Sequence, residues 1–110
     1  MAGTIRRLMG PAYIAAAAAN IYNPPAAQYA VVRHIHIANR GAAASTFTMF
    51  IGATGGSAAG TEVFKDVNVA IAGYFDWYGT LRLDVADFLT GLASVASSLV
   101  IVLEGELIVL

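Results

Sequence analysis

Turn-forming residues interrupt this chain about every ten residues, and that spacing constrains its fold more than any other feature. Gly10-Pro11, Pro24-Pro25, Asn39-Arg40-Gly41, the glycine-rich stretch 52–60, Ala72-Gly73, Gly79 and Asp84 to Asp87 all read as breaks. Between them apolar side chains recur at every second position, the period of a strand with one face buried. Tyr29 to Asn39 is the clearest case, with Arg33, Ile35, Ile37 and Asn39 on one face and Val32, His34, His36 and Ala38 on the other. Phe47, Met49 and Ile51 alternate with Thr46, Thr48 and Phe50. Leu99, Ile101, Leu103, Leu107 and Val109 alternate with Ser98, Val100, Val102, Glu104 and Glu106.

Five consecutive alanines, Ala15 to Ala19, are a helix signal taken alone. No capping residue opens a helix there and Pro24-Pro25 closes the segment, so Ala12 to Tyr22 is read as extended. Tyr74 to Trp77 and Thr80 to Leu83 read as short strands around Gly79. The pattern predicts an all-β chain of seven to nine strands, an antiparallel β-sandwich of jelly-roll type. Residues 1–11 form an N-terminal arm and residues 12–110 a single sandwich domain.

The 110 residues carry six basic and seven acidic side chains, a net charge of -1. Nucleic acid is therefore not an expected partner, since a basic footprint is missing. Charged residues are 12% of the chain, where about 25% is usual, and hydrophobic residues are 58%. A folded chain of this mass exposes roughly 6,000 Å², and so few charges leave that surface apolar in places. The expectation is self-association or burial against other subunits. Cysteine is absent, which excludes disulfides, thiolate metal sites and a cysteine nucleophile.

A membrane is the other way to hide apolar surface. Leu8 to Val32 is uncharged but broken by Pro11, Pro24 and Pro25; Gly41 to Thr61 holds five glycines. Phe88 to Leu103 falls short of the ~20 residues a spanning helix needs. No membrane partner is expected. Arg6-Arg7 followed by Leu8 to Ala19 has the order of a secretion signal, but Pro11 and Tyr13 interrupt its apolar part. An arm leading into a strand is the reading adopted.

Candidate chemistry is sparse. His34 and His36 share a strand face and could bind one ion. A cupin-like site wants a glutamate after three or four intervening residues, where this chain has Arg40 and Gly41; Asp66 or Asp76 could complete a set only through the fold. The expected role is two hydrogen-bonding histidines on a partly exposed strand face, with no metal and no cofactor. The glycine-rich loop lacks the lysine of a phosphate-binding loop, and no nucleophile elbow is present. Asp84 and Asp87 read as a turn cap, and Glu104 and Glu106 as carboxylates on one strand face. Phe75, Trp77 and Tyr78 could form a sugar-stacking platform. No catalytic residue is assigned, and an enzyme is not expected.

Arg33-His34-Ile35-His36-Ile37-Ala38-Asn39 with the alanine- and threonine-rich strand after it resembles small virion proteins of tailed bacteriophages. So does Leu81-Arg82-Leu83-Asp84 leading into Phe88-Leu89-Thr90-Gly91-Leu92. The likeness is to proteins of actinobacteriophages called capsid decoration or minor tail proteins, and it runs from about Tyr13 to the C-terminus. It implies a β-sandwich that assembles as a homo-oligomer, as decoration trimers do, on the major capsid protein or other virion subunits. The location it implies is the virion, at the capsid surface or on the tail. Within that reading Ile5, Arg6, Arg7, Leu8 and Met9 form the assembly interface, the arginines meeting carboxylates and the apolar residues filling grooves.

Overall fold

A computed structural model describes residues 4–110. The described residues are all-β, eight strands in two four-stranded antiparallel sheets. The strands are β1 (Arg6–Tyr13), β2 (Ala19–Tyr22), β3 (Gln28–Asn39), β4 (Ser45–Gly52), β5 (Glu62–Val69), β6 (Tyr74–Leu83), β7 (Phe88–Ala93) and β8 (Leu99–Val109). The first sheet runs β1-β8-β3-β6 and the second β2-β7-β4-β5. No helix among the described residues is long and apolar enough to cross a membrane.

The core lies between the sheets. Ile35 and Ile37 from β3 and Leu99, Ile101 and Leu103 from β8 meet Phe47 and Met49 from β4 and Leu89 from β7, all essentially without exposed surface. The sheets are joined by aromatic edges. Phe47 and Phe64 of the second sheet pack against Phe75 of the first at centroid distances of 5.1 and 5.7 Å, and Phe64 packs against Trp77 at 6.0 Å, all steeply inclined. Edge-to-face contacts of this kind add about 0.5–1.5 kcal/mol each beyond the area they bury.

The alanine run is not helical, but it is not one extended strand either: Ala16 and Ala17 form a bend between β1 and β2, and of the five alanines Ala19 alone lies in a strand. Ile14 is buried; its N–H donates to Leu99 O of the first sheet, while Ala15 O accepts from Ala93 N of the second. This short segment therefore carries the chain from one sheet to the other.

Three other sequence expectations change. Met1, Ala2 and Gly3, the start of the expected arm, lie outside the described residues. From Arg6 onward the segment read as an arm is edge strand β1, paired with β8. Pro11 does not end it, because an edge strand tolerates a residue with no N–H to offer. Register shifts between Arg7 and Met9 and between Met9 and Ala12 give β1 extra residues relative to β8. Gly10 occupies one shift at φ 93, and a Cβ there would come within 2.3 Å of Ile101 O.

The second change is that β6 is one strand through Gly79, not two. Trp77 explains the glycine, since a Cβ at residue 79 would sit 2.7 Å from its ring.

The third change concerns β3. Its pairings with β6 and β8 both shift between Val32 and His34. Against β8, β3 contains one extra residue there, a bulge at Arg33. The alternation restarts after it: Ala30 and Val32 point inward before the bulge, Ile35, Ile37 and Asn39 after it. Arg33, assigned to the face of Ile35 by simple alternation, instead turns outward with His34.

Candidate functional site

The solvent face of the first sheet gathers most of the chain's polar aromatic and titratable side chains. Cross-strand register sets their places. In one row Glu104 on β8 stands opposite His34 on β3, which stands opposite Tyr78 on β6. In the next row Val102, His36 and Asp76 are aligned. A further row holds Tyr13, Val100, Ala38 and Tyr74.

Within these rows four side chains make one network. His34 Nδ1 donates to Glu104 Oε1 at 2.8 Å, and its Nε2 donates to Asp76 Oδ1 at 2.7 Å. His36 Nδ1 donates to the same oxygen, Asp76 Oδ1, at 2.7 Å. Ionised carboxylates only accept hydrogen bonds, so His34 makes both bonds together only as the doubly protonated imidazolium. Its ring stacks in parallel on Tyr78, with centroids 4.3 Å apart. Tyr74 lies 5.7 Å from the His36 ring. Tyr74 and Tyr78 are about 70% exposed, so the network is walled by aromatic rings that themselves face water.

The electrostatics follow from these contacts. The hydrogen bond to Glu104 raises the His34 pKa above its ordinary 6.5; burial opposes this, and the bond to Asp76 with both carboxylate charges reinforces it. Asp76 is lowered from its ordinary 3.8, chiefly by the hydrogen bonds from His34 and His36. A raised histidine contributes stability that is fully present below its unfolded value and is lost as pH rises through the folded one. A depressed aspartate contributes stability above its unfolded value that is lost as pH falls through its folded one. The network therefore stabilises most between about pH 4 and pH 6.5. Thermal melts of wild type against Glu104→Gln across pH check this. The wild-type advantage is expected in that window and should shrink as pH rises beyond the His34 value. A constant difference across pH would contradict it.

Beside the network, Arg33 Nε donates to Glu106 Oε2 at 2.9 Å and Arg33 Nη1 to Thr80 Oγ1 at 2.8 Å. The Glu106 side chain is only 5% exposed, while that of Arg33 is 44% exposed. The paired glutamates of β8 thus have separate partners, Glu104 on His34 and Glu106 on Arg33. Among the described residues, His34, His36 and Asp76 are the group whose donor atoms all lie within 4.8 Å of one another.

Other expected residues fall elsewhere. Asp66 lies on β5 in the second sheet, where its Oδ1 accepts from Thr48 Oγ1. Asp87 Oδ2 accepts from Asp84 N, capping the turn. Phe75 and Trp77 pack against the core, so of the expected stacking platform Tyr78 alone is exposed. Of the five residues assigned to an assembly interface, Leu8 and Met9 pack against the chain's own core, whereas Ile5, Arg6 and Arg7 are exposed. Glu104 escaped the sequence reading as a histidine partner. Its only signal was its place on the polar face of the last strand.

Compared with family models, with curated proteins and with solved structures, the chain matches none.

Proposed function

We propose that the chain is a structural, non-enzymatic subunit of a tailed-phage virion, a capsid decoration protein that binds the outer surface of the head as a homo-oligomer, taken as a trimer. The observation that carries the reading is the aromatic row on the first sheet. Tyr13 and Tyr74 are 50% and 70% exposed at its two ends, Val100 and Ala38 lie between them, and Ile71, 56% exposed, precedes β6. Arg40 Nη1 donates to the Tyr13 hydroxyl at 2.8 Å, and tyrosine and arginine are the residue types enriched at interface centres. Neighbouring subunits of the particle are its occupants in this reading, and contact with them stabilises the capsid through buried area rather than turnover.

The strand order supports a jelly roll. β1–β8, β2–β7, β3–β6 and β4–β5 are successive rungs of one long antiparallel hairpin. Wrapping that hairpin adds the β8–β3 and β7–β4 pairings. The fold suits many functions, so the reading rests on surface chemistry and on the resemblance of the β3 and β6–β7 segments.

Counting this chain by quantitative mass spectrometry in purified particles of the phage that encodes it tests the proposal. Many copies per head, on the scale of the capsomers, are expected. A handful of copies moves the protein to the tail as a minor tail subunit, and absence from the particle overturns both. A carbohydrate-binding module is a second reading, drawn from Tyr74 and Tyr78 flanking Asp76 on one strand face. Glycan-array binding by a chain absent from particles would favour it.

A further inference from the structure

We propose that His34, His36 and Asp76 form a binding site for one borderline-soft divalent transition-metal ion, of which zinc is the type, and that the ion clasps edge strand β6 to β3. The first argument is convergence. His34 Nε2 and His36 Nδ1 aim at a single oxygen, Asp76 Oδ1, each at 2.7 Å. Two nitrogens and one carboxylate oxygen make a donor set found at open three-ligand metal sites. A tetrahedral ion with bonds of about 2.0–2.1 Å separates its donors by about 3.3 Å. The two nitrogens therefore part from the oxygen by roughly half an ångström, within reach of side-chain torsions. The ion takes the place of the protons that the histidines share with Asp76.

The second argument is the outer support. A metal-binding histidine ordinarily donates its other ring N–H to a carboxylate, which fixes the tautomer and the ring plane. Glu104 Oε1 stands 2.8 Å from His34 Nδ1, the nitrogen that does not face Asp76. The parallel Tyr78 ring holds the same imidazole from its face. His34 is thus positioned from both its far edge and its face, with Nε2 directed at the cluster.

The third argument is selectivity. Magnesium and calcium favour all-oxygen cages, whereas imidazole suits zinc, copper, nickel and iron. The chain contains two histidines and no cysteine, and both histidines are in the site. The side chains are 20%, 37% and 25% exposed for His34, His36 and Asp76, so the remaining coordination positions open to solvent. β6 is the outermost strand of its sheet and pairs with β3 alone, so a bond from Asp76 to the histidines of β3 fastens that edge.

Untagged protein, freed of metal with a chelator, is titrated with Zn2+ by calorimetry and melted with and without Zn2+. One ion per chain is expected, with a melting temperature that rises with Zn2+ concentration. His36→Asn and Asp76→Asn should each weaken binding at least tenfold. Glu104→Gln, which leaves all three donors in place, should weaken it about 10- to 100-fold. Glu62→Gln, on β5 in the other sheet, should leave it unchanged. Circular dichroism checks that each variant retains its sheet. A wild-type chain that takes up no Zn2+ at micromolar concentration overturns the proposal, as does uptake that survives both His36→Asn and Asp76→Asn. The outcome is independent of where the protein sits on a particle.

Discussion

Gly105→Ala should remove about 3 kcal/mol of folding stability, the upper range for forcing extra volume into a packed site. Gly105 lies in β8 opposite Val32 of β3 and Arg6 of β1. A Cβ there would come within 2.0 Å of Val31 O and 3.0 Å of both Val31 C and Val32 Cα. These are backbone atoms of a strand hydrogen-bonded on both sides, so no side-chain rotation relieves the contact. The contact lies immediately before the bulge at Arg33, where the β3–β8 register changes. Against a total stability of about 5–15 kcal/mol, the loss is large. Urea denaturation of the two proteins measures it. A difference within about 0.5 kcal/mol, as for an ordinary surface change, would refute the steric account.

The second large effect is expected at Arg33. Arg33→Met should cost about 3 kcal/mol, the lower end for a broken buried ion pair, because Arg33 is itself half exposed. The loss arises less from the bond than from what remains. The Glu106 side chain, 5% exposed, keeps its charge out of water with its guanidinium partner gone. Thr80 Oγ1 loses a donor as well. Replacing both partners removes the stranded charge, so Arg33→Met with Glu106→Leu should recover most of the stability. A double-mutant cycle in urea separates the terms. If the single variant is as stable as wild type, or the double variant is worse than the single, the ion pair is not what holds this part of the sheet.

Both effects arise at the same irregularity. One added residue in β3 turns Arg33 and His34 to the solvent face together, Arg33 toward Glu106 and His34 toward Glu104. Gly105 meets the β3 backbone immediately before that residue. Strict alternation through β3 would place Arg33 among Ile35 and Ile37 in the core, where a guanidinium has no partner.

Most of the strands were legible because each is a local pattern. The inward residues of β4 and β8 follow the two-residue period without a break through Phe47 and Met49 and through Leu99, Ile101 and Leu103. Turn residues close each run, and the proline pair after β2 kept the alanines from being read as a helix. The strand boundaries failed where a strand carries an irregularity. Pro11 and Gly10 resemble a break but lie within an edge strand, and Gly79 resembles a turn but accommodates the Trp77 ring. Bulges leave little trace in composition, since they are set by how neighbouring strands fit.

The candidate site divides in the same way. Adjacent alternate positions place His34 and His36 on one face of β3, and that much belongs to the sequence alone. Asp76 lies 40 residues beyond His36, and Glu104 lies 70 beyond His34. Several other carboxylates were equally available to a reader of the chain. The selection of Asp76 and Glu104 was made by strand pairing, β6 on one side of β3 and β8 on the other, in one register. Local alternation determines which way a side chain points. Only the sheet, through hydrogen bonds between strands far apart in sequence, decides what it points beside.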